Sequence, residues 1–207
     1  MTARLVVFLS GAGRTLVNLA DRIDAGEIPA QVALVVASRE CRGADAARAR
    51  GFDTRITPGD IPASEVAALM KGARADFAVL AGYLRLLGAP AEARGRIVNI
   101  HPALLPSFGG RGMYGERVHR AVLNAGCKVS GCTVHLCDDR YDTGPILAQA
   151  CCEARAGDTP ESLGARVFAL ECELYPRVIR ALVEGRVRSD GRRAWIEPAP
   201  APEPIER

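Results

Sequence analysis

The sequence lacks the features that mark several large classes of protein. No apolar run approaches the roughly 18 consecutive residues of a transmembrane helix, so we expect no contact with a membrane. The net charge is only +3 and the arginines are scattered, which argues against nucleic acid as a partner. The first residues lead directly into a strand pattern and do not resemble a signal peptide, so we expect a cytoplasmic protein.

Cysteine pairs of the kind that bind zinc are also missing. The seven cysteines are an odd number, and no two of them form a C-x-x-C motif. Several lie in apolar strand patterns, where a free thiol behaves as a small hydrophobic group. The pattern predicts reduced thiols and no metal. Cys137, near an acidic segment, is a candidate nucleophile without an evident partner base, and a core thiol is the alternative.

What the chain has instead is a regular alternation of strand and helix patterns. Apolar runs typical of buried parallel strands occupy residues 4–9, 31–37, 77–81 and 97–100, with a shorter run at 54–56. Helical patterns begin near residue 15 and recur at residues 43–50, 63–73, 114–124 and 159–183. This alternation predicts an α/β fold, a Rossmann-like open and mostly parallel sheet with helices on both faces.

The pattern changes in the C-terminal third of the chain. Residues 131–137 and 146–152 read as an antiparallel strand pair. The acidic turn that joins them, residues 138–145, is longer than a tight hairpin needs, which favours a binding loop. We expect residues 1–196 to form a single domain and the proline-rich residues 197–207 to form a tail without regular structure.

Two polar residues stand at the end of the strand pattern that begins at Ile97. Asn99 and His101 are two positions apart, so on a strand their side chains share one face. Pro102 then ends the strand. An amide donor beside an imidazole that titrates near neutrality suits a site where negative charge develops on oxygen. The alternative is a strand end with two solvated polar residues.

A glycine turn follows the first strand and precedes the first helix. Gly11 and Gly13 leave free N–H groups near the helix N-terminus, where the helix dipole favours an anion. The turn has neither the Lys of a Walker loop nor the third glycine of a dinucleotide fingerprint, so a single phosphate suits it best. Arg14 would add charge to that phosphate; the alternative is a solvated arginine beside an ordinary turn.

These segments, together with the acidic turn, make the chain similar to the folate-dependent formyltransferases. The similarity extends from about residue 4 to residue 182, and Asn-x-His-Pro followed by Asp-x-Gly-Pro is its most specific part. The matching segments are residues 10–13, 80–87, 99–106, 112–115, 118–119, 131–135 and 142–145.

The resemblance implies a role for each position that matches the family's site. The implied catalytic residues are Asn99, His101 and Asp142. The implied phosphate and amine-substrate residues are Gly11, Gly13, Arg14, Thr15 and Glu171, the last having a helix-surface charge as its alternative. The implied folate-binding residues are Leu84, Arg85, Leu86, Leu87, Asn99, Asp138, Asp139, Arg140, Tyr141 and Asp142.

The activity that the resemblance implies is formyl transfer from the co-substrate 10-formyltetrahydrofolate to the primary amine of glycinamide ribonucleotide, in purine synthesis. No metal would be needed. His101 would stabilise the tetrahedral intermediate, and Asp142 is expected to raise the pKa of His101. We expect only small-molecule substrates as partners and a monomer or a homodimer.

Three alternatives stay open at this point. The first is a formyltransferase acting on another amine, such as an amino sugar. The second is a formyltetrahydrofolate hydrolase, which normally carries an additional N-terminal domain that we do not expect here. The third is a catalytically silent module that binds phosphate or folate.

Two departures from the family pattern concern substrate recognition. Arg14 and Thr15 stand where members that use glycinamide ribonucleotide usually have serine and asparagine. The segment 56–64 is short and lacks the arginine that the family places near the folate. We therefore expect backbone groups of Leu86, Leu87 and the acidic turn to hold the pterin, and folate to bind more weakly than in members with that arginine.

Overall fold

A computed structural model describes residues 2–199 of the chain, so the predicted tail lies outside the described residues from residue 200 onward. The strands are β1 (Ala3–Leu9), β2 (Ala30–Ala37), β3 (Thr54–Ile56), β4 (Phe77–Leu80), β5 (Ile97–His101), β6 (Val129–Leu136), β7 (Ile146–Glu153), β8 (Val187–Ser189) and β9 (Ala194–Ile196). The α-helices are α1 (Arg14–Asp24), α2 (Arg42–Ala49), α3 (Ala63–Gly72), α4 (Glu116–Asn124) and α5 (Pro160–Val183), and a 3₁₀ helix spans Ala91–Ala93.

Seven of the strands form one mixed sheet in the order β3-β2-β1-β4-β5-β6-β7. Strands β1 to β5 pair in parallel, whereas β6 is antiparallel to both β5 and β7. The chain adds strands on one side of β1 and then on the other, and the crevice beyond the strand ends at such a reversal is where open α/β sheets bind ligands. The predicted fold class, including the antiparallel pair, is confirmed.

The core lies on both faces of this sheet because alternate residues of a strand point to opposite faces. In β1, Val6 and Phe8 pack in the cluster that contains side chains of α3. Leu5, Val7 and Leu9 pack in the larger cluster with α1, α2, α4 and α5. All five are fully buried, which explains why β1 is apolar throughout instead of alternating.

Hydrogen bonds at two places, its first turn and Tyr175, fix helix α5. Thr159 Oγ1 accepts from Ser162 N at 3.2 Å, and Ser162 Oγ accepts from Thr159 N at 3.0 Å, so the N-cap of α5 is a full capping box. The buried Tyr175 hydroxyl lies 2.9 Å from the carbonyl oxygen of Leu80 and 3.0 Å from that of Val98. These two hydrogen bonds hold α5 against the carboxyl end of β4 and the first half of β5.

Two elements differ from the sequence-based prediction. Helix α4 begins at Glu116 and not at residue 114, because Gly115 has φ 52° and ψ −137°, outside the helical region. The β8–β9 hairpin was not predicted, although its turn contains Asp190-Gly191, a common hairpin signal. Within residues 2–199, no helix combines the length and the apolar character needed to cross a membrane.

Candidate functional site

The register of β5 against β6 brings two histidines and an asparagine to one place. Asn99 pairs directly with His135, and His101 pairs with Thr133, two positions away on each strand. Because directly paired residues point to the same face, the Asn99 amide meets the His135 ring, with Nδ2 and Nε2 3.1 Å apart. The imidazole of His101 lies on that same face at the end of β5.

The segment after β5 is held by one buried threonine. Thr133 Oγ1 donates to the carbonyl oxygen of Ala103 at 2.7 Å and accepts from Leu105 N at 3.0 Å. Gln149 Nε2 on β7 donates to the same hydroxyl oxygen at 2.9 Å. These bonds fix the course of the loop that carries the chain from His101 to Phe108.

The acidic turn places Asp142 beside His101 and His135. Asp142 has φ 56°, a left-handed conformation that aspartate tolerates better than most residues. Gly144 follows because a Cβ there would overlap the carbonyl oxygen of Leu136. Gly110 N donates to Asp142 Oδ2 at 2.8 Å, which ties the turn to the loop after β5.

The Asp142 carboxylate lies between the two imidazole rings. Its Oδ2 is 3.5 Å from His101 Nδ1, and its Oδ1 is 3.6 Å from His135 Nε2. The side chains are 10% (Asp142), 4% (His101) and 3% (His135) exposed. Charges this well shielded from water interact more strongly than charges on a surface.

The partners of each ring indicate where its protons lie. His135 Nδ1 is 2.9 Å from the carbonyl oxygen of Leu136, so Nδ1 donates and Nε2 is left to accept from the Asn99 amide. His101 Nε2 is 2.9 Å from the carbonyl oxygen of Phe108 and therefore donates. His101 thus has an acceptor beside each ring nitrogen, an arrangement that only the charged ring satisfies completely.

The two acid–base groups are shifted in ways that the sequence predicted only in part. Burial lowers the pKa of His101 below its ordinary value, although the Asp142 charge and the Phe108 carbonyl act in the opposite direction. Asp142 therefore acts on the His101 pKa in the expected direction, but the net shift is downward because the cost of burying the charge is larger. Burial acts to raise the pKa of Asp142, but the charge of His101 and the Gly110 N–H are among the groups that lower it below its ordinary value.

The Cys137 thiol is not set up as a nucleophile. Burial raises its pKa far above the ordinary value, and the charges of Asp142 and Asp138 raise it further. A thiol in this state stays protonated at neutral pH. The core-thiol interpretation of Cys137 is therefore the correct one.

The glycine turn between β1 and α1 presents a run of free backbone donors. None of the N–H groups of residues 11–16 donates to an acceptor in the described part of the chain, and α1 has no side-chain cap. The carbonyls are engaged instead: Gly11 accepts from Gly43 N at 2.9 Å, and Gly13 accepts from Val17 N at 2.9 Å. Free donors at the positive end of a helix dipole suit an anion.

Two glycines in close contact fix the shape of this turn. A Cβ on Gly13 would lie 2.5 Å from the Cα of Gly43, and Gly13 has φ 76°. Arg39 brings a cation to the same turn, since its Nε donates to the carbonyl oxygen of Ser10 at 3.1 Å. Arg39 was not among the predicted site residues, because it follows a different strand.

Arg14 and Glu171 come together at this turn from distant parts of the sequence. The Arg14 guanidinium lies 4.0 Å from the centre of the Phe168 ring on α5. Glu171 is one helical turn further along α5, where burial raises the pKa of its carboxyl to about 7 while the charge of Arg14 acts to lower it. Glu171 is half-buried at this position, which argues against a fully solvated surface charge.

The segment predicted to bind folate forms a wall beyond the end of β4. Leu84 is 38% exposed and Leu87 is buried. Leu86 N donates to Asp60 Oδ1 at 3.0 Å, and the Leu86 carbonyl accepts from Ile61 N at 3.0 Å. The Leu86 N–H is thus already used within the protein, whereas its carbonyl oxygen keeps a second lone pair, so contact between Leu86 and the pterin stays a prediction for that oxygen.

The acidic turn forms the facing wall. Asp138 accepts from the Thr143 hydroxyl at 2.8 Å and from Arg140 N at 3.0 Å, and so stabilises the turn itself. Asp139 Oδ1 accepts from Ala89 N at 3.3 Å and joins the two walls. Of the five predicted folate-binding residues in this turn, Tyr141 and Asp142 are the ones that line a cavity.

That cavity, of about 340 Å³, lies between the loop after β5 and the acidic turn. A larger hollow of about 470 Å³ lies near the N-terminal ends of β4 and β5, between α3 and the 3₁₀ helix, and contains none of the predicted site residues. In residues 2–199, no three His, Cys, Asp or Glu side chains converge as metal ligands would.

The chain has clear relatives among characterised proteins. Residues 3–179 match the formyl transferase family. The chain is 40% identical to the chloroplastic phosphoribosylglycinamide formyltransferase of Arabidopsis thaliana, over 91% of this chain and 68% of that protein. It is 38% identical to the phosphoribosylglycinamide formyltransferase of Mycobacterium tuberculosis, over 94% of each. It spans 20% of the trifunctional purine biosynthetic protein adenosine-3 of Bos taurus, at 32% identity.

The chain also superposes well on solved structures of related enzymes. Glycinamide ribonucleotide transformylase 1 from Symbiobacterium toebii superposes with a TM-score of 0.85 at 37% identity, covering 94% of both chains. A formyltetrahydrofolate deformylase from Burkholderia mallei superposes with a TM-score of 0.81 at 26% identity, covering 96% of this chain and 71% of that one.

Proposed function

Since the chain belongs to the formyl transferase family, we propose that it transfers a formyl group from 10-formyltetrahydrofolate to the primary amine of glycinamide ribonucleotide. The relatives named for this reaction support the choice of amine, because two of them are 38–40% identical along nearly all of this chain. The free N–H groups of residues 11–16 also support it, since they suit the phosphate of a ribonucleotide.

The strongest support for this proposal is the convergence of three polar side chains. Asn99, His101 and Asp142 come from two elements that are far apart in the sequence, yet their polar groups converge at the carboxyl end of β5. This convergence has a desolvation cost, because His101 is buried, Asn99 and Asp142 are half-buried, and each polar group must find partners. Formyl transfer needs what this cluster offers, namely hydrogen-bond donors for an oxyanion and a group that holds a proton.

In the proposed reaction, the amine nitrogen attacks the formyl carbon and the carbonyl oxygen becomes an oxyanion. The Asn99 amide has two N–H groups, and only one is needed for His135. The other would donate to the oxyanion, together with charged His101. Donors of this kind each lower the barrier by about 3–4 kcal/mol.

His101 and Asp142 would carry the proton that the reaction moves. The attacking nitrogen loses one proton, and N10 of the folate gains one when the C–N10 bond breaks. Burial keeps the pKa of His101 low in the free site, and the oxyanion adds a negative charge that favours the imidazolium. His101 therefore holds a proton more tightly in the transition state than in the free enzyme, which is the difference that accelerates a reaction.

The amine substrate would bind between α1 and α5. Its phosphate would accept from the N–H groups at the start of α1 and from Arg14, and Glu171 would accept from donors on the rest of the ligand. Leu84, Arg85 and Leu87, with the acidic turn, would form the folate side. Leu87 is a better candidate than Leu86 for backbone contact with the pterin, because its backbone groups are not engaged with the loop at Asp60.

We also propose that the enzyme acts in the cytoplasm as a monomer or a homodimer, with small molecules as its only partners. The plant relatives are chloroplastic, so a comparison of locations among relatives would test the first point. Sedimentation of the purified protein would test the second.

A second candidate is hydrolysis of formyltetrahydrofolate, favoured by the similarity to the Burkholderia mallei deformylase. In that reaction water would replace the amine and the anion site would have no ligand. The free N–H groups of residues 11–16 and the half-buried Glu171 would then serve no purpose, which is why we rank this function second.

A formyl-transfer assay separates these functions. We expect rapid transfer to glycinamide ribonucleotide, slower transfer to the same amine without its phosphate, and none to an amino sugar. Formate release at the same rate with and without amine would show hydrolysis instead. Folate binding without either product would make the protein a silent binding module.

A further inference from the structure

The side chain of Arg14 is held in an unusual way. Arg14 is the first residue of α1 and is exposed, and within the described residues it makes no hydrogen bond and no ion pair. Its guanidinium nevertheless lies 4.0 Å from the centre of the Phe168 ring. An arginine in water samples many rotamers, so the ring is what gives this cation a defined position.

Stacking leaves the hydrogen-bonding capacity of the guanidinium intact. The five N–H donors of arginine lie in the plane of the group, whereas the ring contacts its flat face. The donors of Arg14 therefore remain available for an anion, beside the free N–H groups of residues 11–16. A salt bridge would have used the same donors and blocked them.

We propose that Phe168 is a positioning residue of the anion site, whose ring holds the Arg14 guanidinium beside the start of α1 so that a phosphomonoester meets a preset cation. This inference rests on the proposed function, because it assumes that the amine substrate carries a phosphate. Phe168 itself touches no substrate and acts only through Arg14.

Glu171 supports the same arrangement. It follows Phe168 by three residues and so lies on the same face of α5. Arg14 on α1 is close enough to Glu171 for its positive charge to lower the pKa of that carboxyl. Attraction between the two groups draws the guanidinium toward α5 and the Phe168 ring.

Direct binding tests the proposal without relying on catalysis. Calorimetry with ribose 5-phosphate as the probe, and ribose as its control, would compare Phe168→Leu with Phe168→Tyr. Leucine removes the ring face, and we expect phosphate affinity to fall about two- to fivefold; tyrosine keeps the ring and should preserve affinity. Arg177→Ala, which removes an exposed arginine elsewhere on α5, should change nothing.

The double variant decides whether Phe168 acts through Arg14. In an Arg14→Ala background, Phe168→Leu should have no further effect on ribose 5-phosphate affinity. An additional loss of the same factor would overturn the proposal, because Phe168 would then act independently. Equal affinity of the wild type and Phe168→Leu would also overturn it.

Kinetics separate this proposal from the proposed function. If formyl transfer occurs, Phe168→Leu should raise KM for the phosphorylated amine and leave kcat and KM for folate unchanged. If transfer to glycinamide ribonucleotide is absent while ribose 5-phosphate still binds less tightly to Phe168→Leu, the proposed function fails and the role of Phe168 stands.

Discussion

The two ends of the site are built on different principles. At the end of β5, the side chains of His101, His135 and Asp142 are at most 10% exposed and are held by hydrogen bonds from several elements. At the start of α1, the donors are backbone groups and an exposed arginine that rests on an aromatic ring.

The two ends of the site are suited to different tasks. A buried polar network is rigid and acts strongly on charge that develops during a reaction. A solvated site with backbone donors holds a charge that is already present, and each of its contacts is worth less because water competes. Substitutions at the first end should therefore affect kcat, and substitutions at the second should affect KM.

The largest expected effect is at the buried end. His101→Ala should lower kcat by about a hundredfold or more and leave the Kd for folate within a few-fold, because the imidazole acts mainly on the transition state. Steady-state kinetics and folate titration measure the two quantities. Near-normal turnover in His101→Ala would rule out the mechanism. Asp142→Asn should lower kcat to a similar extent for the same reason.

A smaller effect is expected from the residue that orients Asn99. His135→Phe removes the acceptor at Nε2 that fixes the amide, and kcat should fall about tenfold, the equivalent of one lost hydrogen bond in a buried site. His135→Gln offers an acceptor again and should recover part of the loss. If both variants keep full activity, the amide of Asn99 does not depend on His135.

At the exposed end, the expected effect moves to binding. Arg14→Ala should raise KM for glycinamide ribonucleotide about fivefold and leave kcat nearly unchanged, because a solvated contact contributes little more than 1 kcal/mol. The matched control is the amine without its phosphate, for which wild type and variant should agree. A fall in kcat without a change in KM would place Arg14 at the chemical step and remove the contrast between the two ends.

The smallest expected effect is on the stability of the fold and concerns Glu171. The pKa of Glu171 is raised to about 7 in the folded protein, above its ordinary value of 4.5. Between these values the unfolded chain loses the proton first, so rising pH destabilises the fold through this group, and the penalty is complete above pH 7. The full shift corresponds to about 3 kcal/mol, and solvent screening of the half-buried Glu171 reduces this value. Glu171→Gln should therefore become more stable relative to wild type by roughly 1–2 kcal/mol as the pH rises from 4.5 to 7.

Denaturant unfolding at several pH values would measure this difference. Glu65→Gln, at an exposed position on α3, is the control and should differ little from wild type at any pH. A constant difference between Glu171→Gln and wild type from pH 4.5 to 7 would mean that Glu171 ionises freely.

Most of the fold could be predicted because its strands are buried on both faces. Such strands are continuous apolar runs, and β1, β2 and β4 are visible as such in the sequence. The β8–β9 hairpin was missed because its strands are three residues long and largely exposed, so they show almost no periodicity. Only its Asp-Gly turn was a usable signal.

The site could be predicted where its residues lie close together in the sequence. Asn99 and His101 are neighbours on one strand, and a spacing of two residues places them on one face in any sheet. His135 is 36 residues from Asn99, and its place depends on the register between β5 and β6. No local pattern in the sequence encodes that register.

Local sterics and periodicity were enough to predict the alternation of strands and helices, the position of Asn99 and His101 on one face of a strand, and the glycine turn before α1. The meeting of groups from distant parts of the sequence depends on the packed fold instead. The fold places Asp142 between two imidazoles, stacks Arg14 on Phe168, and joins the backbone of Leu86 to Asp60 and Ile61. It also makes the net shift of the His101 pKa downward despite the opposing charge of Asp142, because burial is a property of the packed molecule and not of any segment.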